Sequence, residues 1–241
     1  MTSFQPVRQT RISEKVLTQL KQAILSGTYL PGEKLPSERE LCLQFEASRV
    51  VIREAIRALE LTGFVTLRQG PSGGAFVQEL TLTYLSNAFR DLFLANKLSA
   101  QGLVEARLHI EPEVCRLAAL TRDTEAGGRL ETAFKQEHAR NMTHTTWVSR
   151  NLKIHYLLAR MCGNPFFEAI LTPLLDLTRE LVLVVKPSQK VIHEHDDHQR
   201  IIDAVISGDP VQASKAMHDH IAKVGNALID LEQVYRARKK L

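Results

Sequence analysis

All nine histidines of this 241-residue chain fall between His109 and His220. A neutral imidazole offers a lone pair that suits zinc, copper, iron or nickel. Helical phase decides which of them could meet. On a helix over 146–162, Val148, Asn151, Leu152, His155, Ala159 and Cys162 share one face. On a helix over 190–207, His198 aligns with Ile201, Ile202 and Val205, and His195 sits one turn earlier. On the last helix, Met217, His220, Ile221, Val224 and Leu228 align while His218 points away. Asn151, His155, His198 and His220 are therefore polar groups on the apolar stripes of three helices. Buried polar groups need partners. Imidazoles converging in a bundle core make a transition-metal site. The competing reading is a set of core histidines satisfied one by one, since phase alone does not bring them together.

A second constellation is cationic. Arg49, Arg53 and Arg57 recur every four residues after Ser48, while Ile52, Ala55, Ile56 and Leu59 form the opposite, apolar face. Ser48 is a good N-cap. A helix apolar on one side and cationic on another near its start fits docking in a DNA major groove. The alternative is a solvated face with Glu54 and Glu60 as partners. Ser37-Glu38-Arg39-Glu40 has capping-box spacing and opens a preceding helix carrying Leu41, Leu43 and Phe45. Thr62 and Gly63 stop the arginine helix. Residues 64–68 then read as a strand, 69–74 as a tight turn and 75–77 as the return strand. Helix-turn-helix plus hairpin is a winged helix.

These groups need a scaffold, and the chain supplies two. Upstream, a helix over 11–26 carries Ile12, Val16, Leu20 and Ile24 and ends at Gly27. Residues 78–81 read as a linker. Beyond them no strand signal appears, and helices are predicted over 82–97, 100–120, 124–141, 146–162, 165–185, 190–207 and 210–238. Ser99 can cap one of them. Gly163-Asn164-Pro165 and Gly208-Asp209-Pro210 each end one helix and cap the next. Pro173 is expected to kink its helix. The predicted fold is mostly α: an N-terminal winged helix-turn-helix over 1–78 and an all-α bundle over 79–241.

Composition narrows the class. Apolar residues make up 44% and charged residues 24%, as in soluble globular proteins. The net charge of +4 would not by itself reveal a nucleic-acid binder, although residues 1–78 hold ten basic side chains against seven acidic ones. The basic tail Arg236, Arg238, Lys239 and Lys240 reads as a solvated helix end. Cys42, Cys115 and Cys162 are odd in number and form no Cys-x-x-Cys, which suits a reducing cytosol. MTSFQPVRQT has no apolar core of a signal peptide. The longest apolar run, Leu181 to Val185, is far too short to span a bilayer, so no membrane partner is expected.

The stretch GEKLPSEREL…SRVVIREAIRALELTGFV…RQG…GGAFV resembles the DNA-binding domain of the GntR family of bacterial transcription regulators, over about 70 ungapped residues. The resemblance implies contacts to double-stranded operator DNA from Arg39, Ser48, Arg49 and Arg53, and from Gln69 with Gly70 at the wing tip. Relatives often carry Thr where this chain has Val50, so an apolar contact, as to a thymine methyl, would replace a hydroxyl contact. Residues from about 100 to 225 resemble the FCD effector domain of the FadR-like subfamily. The matching pieces are Glu105-Ala106-Arg107…Glu111, Asn151…His155…Gly163-Asn164-Pro165, His198…Asp209 and Ala216-Met217…His220. Metal-binding relatives use one Asp and three His, which carry over as Asn151, His155, His198 and His220. Asn151 stands where they have Asp and brings no charge, so the resemblance implies a weaker divalent site, zinc or nickel first, or one completed by an anion. His195 or Asp196 could stand in for it. Relatives sensing carboxylic acids use an arginine matched by Arg107, and a bidentate carboxylate clamp stands beside an internal Glu111 ion pair as its two readings.

The expected function is a cytoplasmic, homodimeric regulator, nucleoid-associated when DNA-bound. It would bind a short palindromic operator, more as repressor than activator, under control of a small carboxylate effector. A metal-dependent hydrolase or lyase fused to a DNA-binding module is the alternative, with His155, His198 and His220 holding a metal-activated water. A purely structural dimerisation domain is the third reading.

Overall fold

The computed structural model describes residues 10–121, 124–139, 141–186 and 197–239. Within these are ten helices and one two-stranded sheet. His195, Asp196 and the first turns of the helix expected over 190–207 lie outside the described residues. The chain divides into two units, 1–84 and 85–241.

In the first unit, α1 (Thr10–Leu25), α2 (Glu38–Phe45) and α3 (Arg49–Leu61) are followed by β1 (Val65–Arg68) and β2 (Gly74–Val77). The Ser37 hydroxyl accepts from the Glu40 backbone N–H while the Glu40 side chain accepts from that of Ser37, which completes the capping box. Ser48 caps α3 by accepting from Val51 N–H. The strands pair antiparallel from Val65 opposite Val77 to Arg68 opposite Gly74. Val16, Leu20 and Ile24 of α1 close on Ile52, Ala55, Ile56 and Leu59 of α3, with Leu35, Leu41, Val65 and Val77 filling the rest of the core. Leu41 is buried but Leu43 is 72% exposed, since two residues turn the helix by about 200°. The boundary falls six residues beyond the expected one. The Tyr84 hydroxyl donates to the Glu60 carbonyl at 3.1 Å. Its ring covers Gly63, where a Cβ would lie 2.0 Å from the ring. Gly63 also takes φ +77°, which glycine adopts without strain.

The second unit is all helical: α4 (Thr83–Leu94), α5 (Ala100–Thr121), α6 (Thr124–Glu137), α7 (His144–Met161), α8 (Pro165–Val185), α9 (Asp197–Ser207) and α10 (Pro210–Lys239). α4 begins in the last residues of the first unit. Ser99 accepts from Gly102 N–H, Asn164 from Phe166 N–H, and Asp209 from Val211 and Gln212 N–H, so the three expected caps form. α6 stops at Glu137 rather than 141. α7 starts at His144, where Thr143 supplies a cap. α8 runs through Pro173 as one element, and α5 contains Pro112 in the same way. The broadest packing is α5 on α10. The Val104 side chain packs directly on Gly225, where a Cβ would lie 2.4 Å from Val104 Cγ1. Leu152, Leu158, Leu175, Leu181, Ile201 and Val205 lie in the core so formed. No helix among the described residues is long and apolar enough to cross a membrane.

Candidate functional site

The phase reading of three helices is what the second unit shows. Asn151 and His155 of α7, His198 of α9 and His220 of α10 are all buried, and His218 is not. The three imidazoles meet. Ring centroids lie 5.2 Å apart for His155 and His198, 5.3 Å for His155 and His220, and 4.7 Å for His198 and His220. One nitrogen from each falls within 4.8 Å of the others.

Two of the rings hydrogen-bond a carboxylate, and the third has one nearby. His155 Nδ1 donates to Glu111 Oε2. His198 Nδ1 donates to Glu137 Oε2 at 2.8 Å. His220 Nδ1 lies 4.0 Å from Asp197 Oδ2, which also faces Lys223 Nζ at 3.3 Å, while Asp197 Oδ1 accepts from Arg200 at 2.8 Å. A carboxylate on Nδ1 fixes the tautomer and leaves Nε2 as the lone-pair nitrogen, the usual outer arrangement of metal-binding histidines. His155 Nε2 and His198 Nε2 are 3.3 Å apart. With both Nδ1 protons directed at carboxylates, two lone pairs face each other, and a proton or a cation between them removes the repulsion. Burial, and next the neighbouring His155, push His198 well below the ordinary imidazole value, which disfavours the proton. Two nitrogen ligands of a tetrahedral ion with bonds of about 2.0–2.1 Å sit roughly 3.3–3.4 Å apart, so the donor set fits a divalent metal.

The fourth expected ligand sits beside them. Asn151 Nδ2 donates to the Trp147 carbonyl at 3.1 Å, which fixes the amide orientation. Its Oδ1 is buried and has no hydrogen-bond partner. Asn151 lines a cavity of about 30 Å³ together with His155, His220, Arg107, Thr178, Trp147 and Val182. That volume suits a water or an ion.

Arg107 takes the ion-pair arrangement and lines the cavity as well. Its Nε donates to Glu111 Oε1 at 2.5 Å and its Nη1 to Thr178 Oγ1 at 3.3 Å. Glu111 thus bridges Arg107 and His155. Burial alone would raise its carboxyl, but the Arg107 guanidinium and the His155 imidazole outweigh it and pull it down to about 2. Sequence reasoning gave Glu111 only as an ion-pair partner of Arg107 and Asp197 only as a general-base candidate near His198 in sequence, and it did not find Glu137. The phase test would have found Glu111, because it shares the buried face of α5 with Leu103, Val104, Arg107, Val114, Cys115 and Ala118.

In the first unit, Arg39, Ser48, Arg49, Val50, Arg53, Gln69 and Gly70 are all exposed. Arg57 joins them on α3. Arg53 Nε donates to both oxygens of Glu38, at 3.0 and 2.8 Å, rather than pairing with Glu54 or Glu60. Glu60 instead accepts from Leu67 N–H at 3.3 Å, tying α3 to the wing. Gly70 takes φ +100° at the wing tip, and Gly73 N–H closes the turn on the Gly70 carbonyl at 2.8 Å.

A capped helix-turn-helix with a hairpin wing, on one chain with an all-helical unit holding a ligand-type core cluster, defines a DNA-binding regulator with its own sensing domain. Residues 12–77 match the family described as bacterial regulatory proteins, gntR family, and residues 102–223 match the FCD domain. The HTH-type transcriptional repressor NanR of Cronobacter sakazakii is 30% identical over 97% of this chain and 92% of its own length. NanR of Salmonella newport is also 30% identical, over 91% and 86%. Among solved structures, Streptococcus agalactiae GntR aligns with TM-score 0.69 and 26% identity, covering 89% of this chain and 99% of that one. The chain belongs to the GntR family, in its FadR-like branch with an FCD domain. That membership makes it a regulator rather than an enzyme, and the hydrolase or lyase reading is set aside.

Proposed function

We propose that this protein is a metabolite-controlled transcriptional repressor, acting as a homodimer on a short palindromic operator. The supporting observation is the convergence of His155, His198 and His220, two of which, His155 and His220, line a cavity together with Arg107 and Asn151, whose side-chain oxygen has no hydrogen-bond partner. His155, His198, His220 and Asn151 would hold a divalent ion, zinc or nickel, which supplies Lewis acidity toward an anionic oxygen. Arg107 adds a fixed positive charge and further guanidinium donors beside that point, so a small carboxylate is the effector class this charge favours. Val182, Val224 and Leu228 give its remainder an apolar wall. On the first unit, Arg49 and Arg53 read base edges, Val50 contributes an apolar contact, and Arg39, Ser48 and the Gln69–Gly70 wing complete the DNA contacts. The repressor sign follows the relatives named NanR. The effector works by binding one arrangement of the dimer better than the other, since only differential affinity shifts an equilibrium.

The test uses untagged full-length protein. Metal content is measured after dialysis, an operator is selected from random DNA, and release from that operator is followed while organic acids are added with and without zinc or nickel. Metal uptake and acid-dependent release support the proposal. Specific DNA binding that no acid alters, by a protein that takes up no metal, refutes the sensing half of it.

A further inference from the structure

Glu111 is buried to 1% exposure between two groups with different tasks. One oxygen accepts from Arg107 Nε and the other from His155 Nδ1. Glu111 is therefore a direct hydrogen-bonded bridge between the guanidinium and the metal-type cluster. The other two outer carboxylates differ. Glu137 closes α6 and serves His198. Asp197 faces His220, Lys223 and Arg200, and both cations are largely exposed. The fourth cluster position, Asn151, is neutral, which leaves the outer carboxylates as the negative charge around the cluster.

Resting on the sensing reading above, we infer that Glu111 is the positioning residue that couples the anion-binding arginine to the metal-binding histidines. Its carboxylate is held by Arg107 Nε, whose guanidinium is anchored on Thr178, and that hold aims His155 Nε2 at the cluster. A carboxylate arriving at Arg107 draws on the same guanidinium, so Glu111 turns more of its charge toward His155, and metal and anion bind cooperatively. The reciprocal effect is a thermodynamic necessity, since each ligand must strengthen the other by the same factor.

The coupling is tested by zinc affinity, measured by competition with a chromophoric chelator, in wild type, Arg107→Lys, Glu111→Gln and the double variant. Glu111→Gln removes the charge that orients His155 and should weaken zinc about 10–100-fold. Arg107→Lys keeps the charge but loses the planar guanidinium, so it should weaken zinc severalfold through Glu111. In the Glu111→Gln background the same arginine change should do nothing further. That non-additivity is the signature of a shared tether, and a merely structural arginine would not produce it. Additive effects, or an Arg107→Lys protein with wild-type zinc affinity, overturn the inference alone. A wild-type protein that binds no zinc overturns the sensing reading on which it rests. Should Glu111→Gln not fold, Glu111→Asp serves instead. It retains the charge but is too short to span both partners, and it must show the same loss of coupling.

Discussion

Replacing Asn151 with aspartate changes one atom type at the position where the metal-binding relatives carry a carboxylate. Its effect can be worked out in both states of the site. Without metal, the variant loses the Nδ2 donor to Trp147 and sets a carboxylate oxygen against that carbonyl, in a position buried to 3% exposure. An unpaired buried polar group costs about 1–3 kcal/mol, more when charged. For a unit of this size each kcal/mol lowers the melting temperature by about 2–4 °C, so a fall of roughly 2–12 °C is expected without metal. With metal the sign reverses. Two unit charges about 4 Å apart at an effective dielectric near 20 interact by about 4 kcal/mol, and a divalent ion roughly doubles that. Desolvation of the carboxylate takes back several kcal/mol. A remainder of at least about 1.4 kcal/mol is a tenfold tightening. The assay is a pair of melting curves, metal-stripped and with excess zinc, together with metal content after dialysis. The variant should melt lower than wild type when stripped, gain more from zinc, and retain more metal. Anionic ligands should bind its loaded form more weakly, because the site has lost one unit of positive charge. A variant that melts lower in both conditions and retains no extra metal refutes the reasoning.

Three further outcomes are expected. Arg49→Ala and Arg53→Ala should each lose about 1–3 kcal/mol of operator affinity in fluorescence anisotropy. Both should keep the wild-type melting temperature within about 1 °C per few tenths of a kcal/mol, since an exposed pair such as Arg53–Glu38 contributes at most about 1 kcal/mol; unchanged operator affinity in either would mislocate the recognition helix. Arg107→Lys should reduce the thermal shift given by whichever organic acid stabilises wild type, while specific DNA binding without acid stays the same; an undiminished shift would remove Arg107 from the effector site. Stability of the metal-free protein should fall with pH in two stages. His198 is depressed in the folded state, so its contribution is complete above the unfolded value near 6.5 and is lost as pH falls below it. Glu111, held at about 2, contributes fully above about 4.5 and loses that contribution as pH falls toward 2. Urea midpoints from pH 8 to 3 check this, and a midpoint that stays level from pH 7 to 5 would contradict the first stage.

The cluster was legible in the sequence to the extent that it obeys helical phase. Asn151, His155, His198 and His220 each sit among apolar neighbours at multiples of the helical turn, and a phase argument finds such residues without knowing how helices pack. Glu137 was not legible, because it closes a short amphipathic helix among other charged residues, and only the packing of α6 turns it to His198. Asp197 escaped as a neighbour of His220 for a related reason. It precedes His198 inside the helix expected over 190–207, yet it is buried opposite His220 and Lys223, which the packing of the following helix brings to it. The winged helix was clearer still, since caps, turn glycines and strand alternation are local signals. Its misplaced apolar residues, Ile12 and Leu43, and the six-residue shift of the boundary to Tyr84 reflect side-chain packing that local signals do not encode.

Gly225 carries a consequence for genetics. It does not line the cavity, and it lies five residues beyond His220 on the same helix. Any side chain there would press on Val104 and lever α10 away from α5. Because His220 rides on α10 while Arg107 and Glu111 ride on α5, a single added methyl group would spread the cluster without altering any member of it. In a selection for strains whose reporter no longer answers the inducing signal, Gly225→Ala would therefore be recovered alongside changes at the histidines. An investigator mapping such alleles would find one at a position with no chemistry of its own.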